Sequence, residues 1–341
     1  MRGMSLESPE VVLDLIEAFR RSKTMFTAVS LGVFDRLAEG AASAGELAQA
    51  MGAEAGALER LLEGCVGLGL LTREEGRFAN TGTAERYLVR SSPETLAGYV
   101  LYSNDVLYPL WGRLEQAVRE GTHRWGEVFG LEGPLFNHFF RTPEARRTFL
   151  LGMHGFGRLS SPAVVKMFNL NGFRRLVDLG GGTGHLAIAA CERYGAMQGV
   201  VFDLPGAVEQ AREEIARSRA AARLGVVEGD FFRDALPGGD IYTLGRILHD
   251  WTEEKIGRLL RRIHEALPVG GAVLLAETLL DEDHAGPVHA QMQSLNMLVC
   301  TEGRERSAEE YRALLEAAGF GEVEARRTGT PLDAVLARKK E

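Results

Sequence analysis

Apolar residues recur at helical spacing from Val11 to Phe34, first at Val12, Leu15, Ile16 and Phe19, then from Met25 through Phe26, Val29 and Leu31. That spacing predicts a long amphipathic helical opening. Ser43 is placed to cap a short helix, AGELAQAMG, and Ala55 to Leu68 forms another. LLTREEGRFANT then reads as two strands joined at Glu74–Glu75–Gly76. Helix, turn, helix and hairpin make a winged-helix-like pattern. Its candidate recognition helix, AGALERLLEGCVGLGL, holds one arginine and two glutamates, whereas a helix that reads a major groove turns basic and amide side chains outward. The module therefore reads as a packing or dimerisation element, with no nucleic-acid partner expected. Surplus apolar surface on the leading helices points to a partner subunit.

Between Leu96 and Val165 the sequence is helical and dense in aromatics, from Tyr99 and Trp111 to Phe140, Phe149 and Phe156, with Met153 and His154 among them. Most of these read as core. The segment runs directly into an alternation of strands and helices, so it is also placed to wall a pocket for a flat substrate, with Phe140 and Met153 as candidates.

From Arg174 onward, strand and helix alternate as in a doubly wound α/β sheet. Strands are predicted at Arg174–Leu179, Gly199–Leu204, Leu224–Glu228, Ile241–Ile247, Ala272–Thr278, Gly321–Arg327 and Leu332–Arg338, the last two as a closing hairpin. The expected division is residues 1–98 for the helical module and 99–341 for the Rossmann-like domain with its seven-stranded sheet. With 39 basic and 47 acidic side chains the net charge is −8, which disfavours a phosphate-backbone partner. No apolar run approaches the length of a membrane span, and the N-terminus has no signal-peptide core. Three separated cysteines suit a reducing compartment. A cytoplasmic protein is expected.

The chemistry concentrates at predicted strand ends, where ligands of such sheets sit. LVDLGGGTGH, residues 176–185, is a strand that breaks into glycines ahead of a helix, bringing bare N–H groups toward a nucleotide-like ligand. It lacks the full dinucleotide fingerprint. Its Asp178, Gly180, Gly182 and Gly184 match instead the D/E-x-G-x-G-x-G loop of S-adenosylmethionine methyltransferases, where an acid suits an amino group and a sulfonium. NAD binding and a merely structural turn remain alternatives to that reading. Asp203, followed by Leu204, ends the second strand, where a carboxylate can accept from two ribose hydroxyls. Asp230, after Gly229, ends the third and can face an adenine amino group, with Phe231 or Phe232 beside the ring. Arg246 ends the fourth.

RILHDWTEEK comes next, with His249 just beyond that strand and Asp250 beside it in sequence. A neutral imidazole there can take a proton from a hydroxyl. Glu277, at the fifth strand's end, and Glu305, in TEGRER, are the acids placed to orient it. No His, Asp and Glu spacing belongs to a magnesium site, so no metal is expected.

Together these residues identify the chain as resembling the S-adenosylmethionine-dependent O-methyltransferases of the plant caffeate and hydroxyindole type, and among them the acetylserotonin branch. The likeness runs through SLGVFDRLAEG, LWGRLEQAVREG, DLGGGTG, FDLP, GDFF, ILHDW, SLNMLVCTEGRER and LDAVLARK. It implies an N-terminal domain that forms homodimers and a metal-independent methyl transfer with His249 as base, flanked by Glu277 and Glu305. It further implies cofactor contacts from Gly180, Asp203, Asp230, Phe231 and Arg246, and a substrate near Asp250 and Asn296. One departure stands out: Cys300 occupies the place where the animal hydroxyindole enzymes carry glutamine, so an amide donor and acceptor are lost. The expected activity is methylation of a hydroxyl on a small aromatic. Two rivals are a winged-helix regulator with a ligand-sensing domain and a cofactor-binding relative that transfers no methyl group.

Overall fold

Elements in the computed structural model follow the sequence periodicity closely, and residues 8–340 are described. The first seven residues, on which part of the signal-peptide reading rests, lie outside them. Chain contacts divide between Val106 and Leu107 rather than between residues 98 and 99. Val100, buried in the first unit's core, and Leu101, packed against it, carry that unit past residue 98.

In the first unit a 22-residue helix α1 (Glu10–Leu31) ends at Gly32, in the left-handed region at φ +78°, and restarts as Val33–Leu37. β1 (Ala42–Ser43) leads into α2 (Ala44–Met51). Ser43 Oγ accepts from the Glu46 amide and the Glu46 carboxylate accepts from Ser43 N–H, so two orphan donors are satisfied reciprocally. α3 (Ala55–Gly67) precedes β2 (Leu71–Glu74) and β3 (Arg77–Asn80). Between them Glu75 and Gly76 both have positive φ, the geometry that lets a two-residue turn follow the strand twist. The three strands run β1-β3-β2, over a core of Phe34, Leu47, Leu62, Leu71 and Phe78. On α1, however, Val12, Leu15, Ile16 and Phe19 are each more than half exposed.

The second unit opens with four short helices, Tyr108–Trp111, Leu114–Glu120, Trp125–Phe129 and Leu135–Phe139, and then α4 (Pro143–Val164). β4 (Arg175–Leu179), α5 (His185–Arg193), β5 (Gln198–Asp203), α6 (Pro205–Arg217) and β6 (Leu224–Glu228) follow. Next come β7 (Ile241–Gly245), α7 (Glu253–Ala266) and β8 (Ala272–Glu277). β9 (Leu279–Leu280), α8 (Val288–Cys300), β10 (Arg306–Ser307) and α9 (Ala308–Ala317) lead to β11 (Phe320–Arg326) and β12 (Asp333–Lys339). The seven main strands lie in the order β11-β12-β8-β7-β4-β5-β6. β4 through β8 are parallel, and β12 is antiparallel to β8 and β11. The run Leu176–Leu179 is buried, as expected for a parallel strand covered on both faces. The chain winds outward from β4 on one side and from β7 on the other. Their carboxyl ends therefore flank the switch point where such sheets bind ligands.

Candidate active site

β4 leaves the sheet through Gly180, whose φ is +64° and where a Cβ would come within 2.5 Å of Ile247 Cδ1. Only a bare backbone fits there. A Gly180→Ala substitution is expected to cost about 1–2 kcal/mol in backbone conformation alone. Calorimetry should record it as a melting point lowered by roughly 2–4 °C per kcal/mol; an unchanged Tm would contradict the strained geometry.

The acids around this turn divide their work. Asp203, at the end of β5, accepts from Gly182 N–H and Leu204 N–H, each at 2.7 Å, and so grips the turn from outside. Burial pushes its pKa up to about 6, against the pull of those two amides. Gly229 N–H donates to the Asp203 carbonyl at 2.9 Å, tying the ends of β5 and β6 together. Asp178 departs from the sequence reading. Its carboxylate is 1% exposed, accepting from Thr243 Oγ1 at 2.7 Å and Ala187 N–H at 3.3 Å. It braces β4 against β7 and the start of α5, and has no open side for a ligand's amino group. Burial raises it to about 7.

Asp230 accepts from Phe232 N–H at 2.8 Å, fixing the turn after β6. The two phenylalanines then part. Phe231 lies against the glycine turn, its Cε1 3.2 Å from the Cβ position of Gly180. Phe232 turns aside, edge-on to Trp251 at 5.1 Å and beneath the Arg258 guanidinium. Arg246, just past β7, has φ +56°, a rare value for a side chain of its size. Its N–H is held by the Ala276 carbonyl at 2.9 Å. Its guanidinium reaches Met153 Sδ at 3.5 Å and covers the Phe156 ring.

His249 is 3% exposed. Nδ1 lies 2.6 Å from Glu305 Oε1 and 3.7 Å from Glu277 Oε2, and Nε2 lies 3.6 Å from Asp250 Oδ1. Glu277 is itself anchored, its Oε1 accepting from Ile247 and Leu248 N–H. Oε2 of each glutamate is buried with no hydrogen-bond partner. Burial pushes Glu277 up to about 7, Glu305 up to about 8 and Asp250 up to about 6, and lowers His249. All four shifts share one cause: a dry site that resists net charge. Arg306, fully buried, donates to the carbonyls of Leu248, Trp251 and Arg304 and so pins the turn that presents the imidazole. Donor atoms of His249, Glu277 and Glu305 lie within 4.8 Å of one another, a set that could hold a metal ion and that no sequence spacing revealed.

Residues 111–321 match the O-methyltransferase domain, and residues 13–90 match the O-methyltransferase dimerisation domain. The acetylserotonin O-methyltransferase of Bos taurus is 41% identical over 340 residues, covering 98% of each chain. The chain belongs to the O-methyltransferase family. The crystal structure of human N-acetylserotonin methyltransferase in complex with SAM superposes with a TM-score of 0.94 at 37% identity, covering all of both chains. Mitomycin 7-O-methyltransferase follows at 0.86 and 28%, covering 97% of each.

Within this O-methyltransferase the residues expected near a substrate are tied to different partners. Asn296 Oδ1 accepts from Trp111 Nε1 at 2.8 Å. The Cys300 thiol donates into its own helix, to the Asn296 carbonyl at 2.8 Å. The Cys300 carbonyl accepts from Trp125 Nε1. Phe140 lies against Gly206 at the start of α6, on the β5 side of the strand ends, and touches Phe136 and Phe149. Phe136 in turn meets Trp251 beside His249. Sequence reading missed Trp111, Arg306, and a second histidine group, His154 with Thr183 and His185 with Ser161. Their partners are distant in the chain, and only the placement of His154 beside Met153 hinted at them. Among the described residues no helix is long and apolar enough to cross a membrane.

Proposed function

We propose that this family member transfers the methyl group of S-adenosylmethionine to a hydroxyl of a small aromatic acceptor, with His249 as general base. The observation that carries the reading is the 2.6 Å contact between His249 Nδ1 and Glu305. With Glu305 ionised, Nδ1–H donates to it, and the lone pair then stands on Nε2, free to accept the acceptor's proton. Glu277, held by two backbone amides, adds negative potential behind the ring for the moment it becomes charged.

The cradle at the strand ends fits the cofactor. Gly180 leaves its backbone bare, Asp203 stands where ribose hydroxyls would lie, and Phe231 supplies an aromatic face beside the turn. When bound, S-adenosylmethionine supplies an electron-deficient methyl carbon on a sulfonium that departs as a neutral thioether. The protein's own contribution is alignment and proton removal. A phenol ionises near pKa 10, so attack is assisted when Nε2 takes the proton as the oxygen–carbon bond forms.

The flat acceptor class rests on the half-buried rings of Phe136 and Phe140, backed by the buried Phe139 and Trp125. Cys300, its thiol turned into its own helix, offers no amide to a polar tail. The test is mass spectrometry after incubation with S-adenosylmethionine and a panel of hydroxyindoles, phenols and hydroxyquinones. Gain of one methyl group on a hydroxyl is expected, and tight cofactor binding with no product from any acceptor would refute the transfer.

Assembly as a homodimer completes the reading, supported by the dimerisation-domain match and the bare stripe on α1. Ile16→Asp with Phe19→Asp is expected to convert the dimer to a monomer in light scattering, since burying two unpaired carboxylates opposes association. An unchanged mass would place the interface elsewhere.

A further inference from the structure

Away from the imidazole of His249, α4 carries a histidine that reaches the glycine turn. His154 Nδ1 lies 2.8 Å from Thr183 Oγ1, and Thr183 is 1% exposed within the turn. Its other ring nitrogen, Nε2, lies 3.6 Å from Glu214 Oε2 on α6. His154 therefore spans from the exit of β4 to the helix that follows β5, the two places that present Gly180, Gly182 and Asp203.

The partners settle where the proton sits. Burial holds the imidazole down to about 4, with Arg158 and Arg217 adding to it, so the ring is neutral and has one N–H. Glu214 accepts from Arg217 and Gln210 and faces Nε2 with lone pairs. That carboxylate's charge at 3.6 Å favours the tautomer with the hydrogen on Nε2 and with Nδ1 accepting from the Thr183 hydroxyl. The same stretch of helix makes further ties. Met153 and Phe156 hold Arg246. Gly157 leaves room for the His185 ring, whose atoms would lie 2.4 Å from a Cβ there. Ser161 bonds His185 Nδ1 at 2.9 Å. One face of α4 thus touches the exits of β4 and β7 and the helix after β5.

We propose that His154 is a positioning residue for the cofactor, holding the turn through Thr183 in the shape that brings its side-chain-free glycines against the ligand. Asp203 grips Gly182 from the end of β5, so two successive residues of the turn are fixed by groups from different elements. His154 touches no reacting atom. This role presupposes the proposed binding of S-adenosylmethionine.

Its test is calorimetric titration of the full chain with S-adenosylhomocysteine, together with steady-state kinetics. The variants are His154→Phe, Thr183→Val, the double variant and Thr183→Ser. Each of the first two should raise the Kd, and the KM for S-adenosylmethionine, about three- to tenfold, the worth of one buried neutral hydrogen bond. The acceptor KM and kcat at saturating cofactor should stay within about twofold. Because the two residues act as one contact, the double variant should bind no worse than either single, and Thr183→Ser should bind like wild type. Additive losses in the double variant would overturn the proposal, as would a fall in kcat or Tm with Kd unchanged. Wild-type protein that binds no S-adenosylhomocysteine would overturn the cofactor reading and this clasp with it. Normal wild-type binding with unaltered variants would overturn the clasp alone.

Discussion

His249→Ala is expected to lower kcat by about 10²- to 10⁴-fold, the range for loss of a positioned general base, and to leave S-adenosylhomocysteine affinity within about twofold. The affinity should survive because no residue of the glycine turn depends on the imidazole, whose closest partners are Glu305, Glu277 and Asp250. The fold should survive too. Removing the ring leaves two buried glutamates, and burial already raises them to about 7 and about 8. They can stay protonated and avoid burying a bare charge. Rapid-quench turnover measured beside calorimetric titration separates the two effects. A variant that keeps turnover within about tenfold of wild type would move the base elsewhere.

Glu305→Gln should be nearly as costly, about 10²-fold or more in kcat, and should also change the pH profile. In the wild type the competent form has Glu305 ionised and His249 neutral. Burial holds the Glu305 proton on until about pH 8 and resists a proton on His249. The sign is therefore clear: the rate rises as pH passes through about 8 and falls below it, since the first proton taken up by the pair blocks either Nε2 or the charge behind it. With glutamine in place that step disappears. The remaining acid limb belongs to His249 together with Glu277, whose carboxyl burial pushes up to about 7, and so moves below pH 8. Profiles of kcat for the two proteins decide the matter. An acid limb that stays near pH 8 in the variant would remove Glu305 from the proton balance.

Much of the fold was readable beforehand because strand and helix periods are local. All seven main strands start within a residue of their predicted positions, since β-branched runs bounded by glycine and charge leave little freedom. His249, Glu277 and Glu305 were legible as residues at the ligand edge, and they do meet. Asp178 was not, because sequence order cannot say that Thr243 and the α5 amides already occupy its carboxylate. Residue chemistry left Phe231 and Phe232 interchangeable and the family likeness named Phe231; the structure sets Phe231 against Gly180 and Phe232 against Trp251. His154 and Thr183, 29 residues apart, lay too far from each other for any period to join them. So did Trp111 and Asn296, separated by 185.

The strand order has a consequence for how the protein assembles itself. β12 lies inside the sheet, and its register pairs Asp333 with Glu277. The residue facing the imidazole is thus seated by a segment roughly 55 positions further along the chain, a ring closure whose entropy must be met before the neighbouring contacts repay it. Until that late strand slots between its two neighbours, β8 has an open flank and Glu277 is held from the β7 side, by the Ile247 and Leu248 amides.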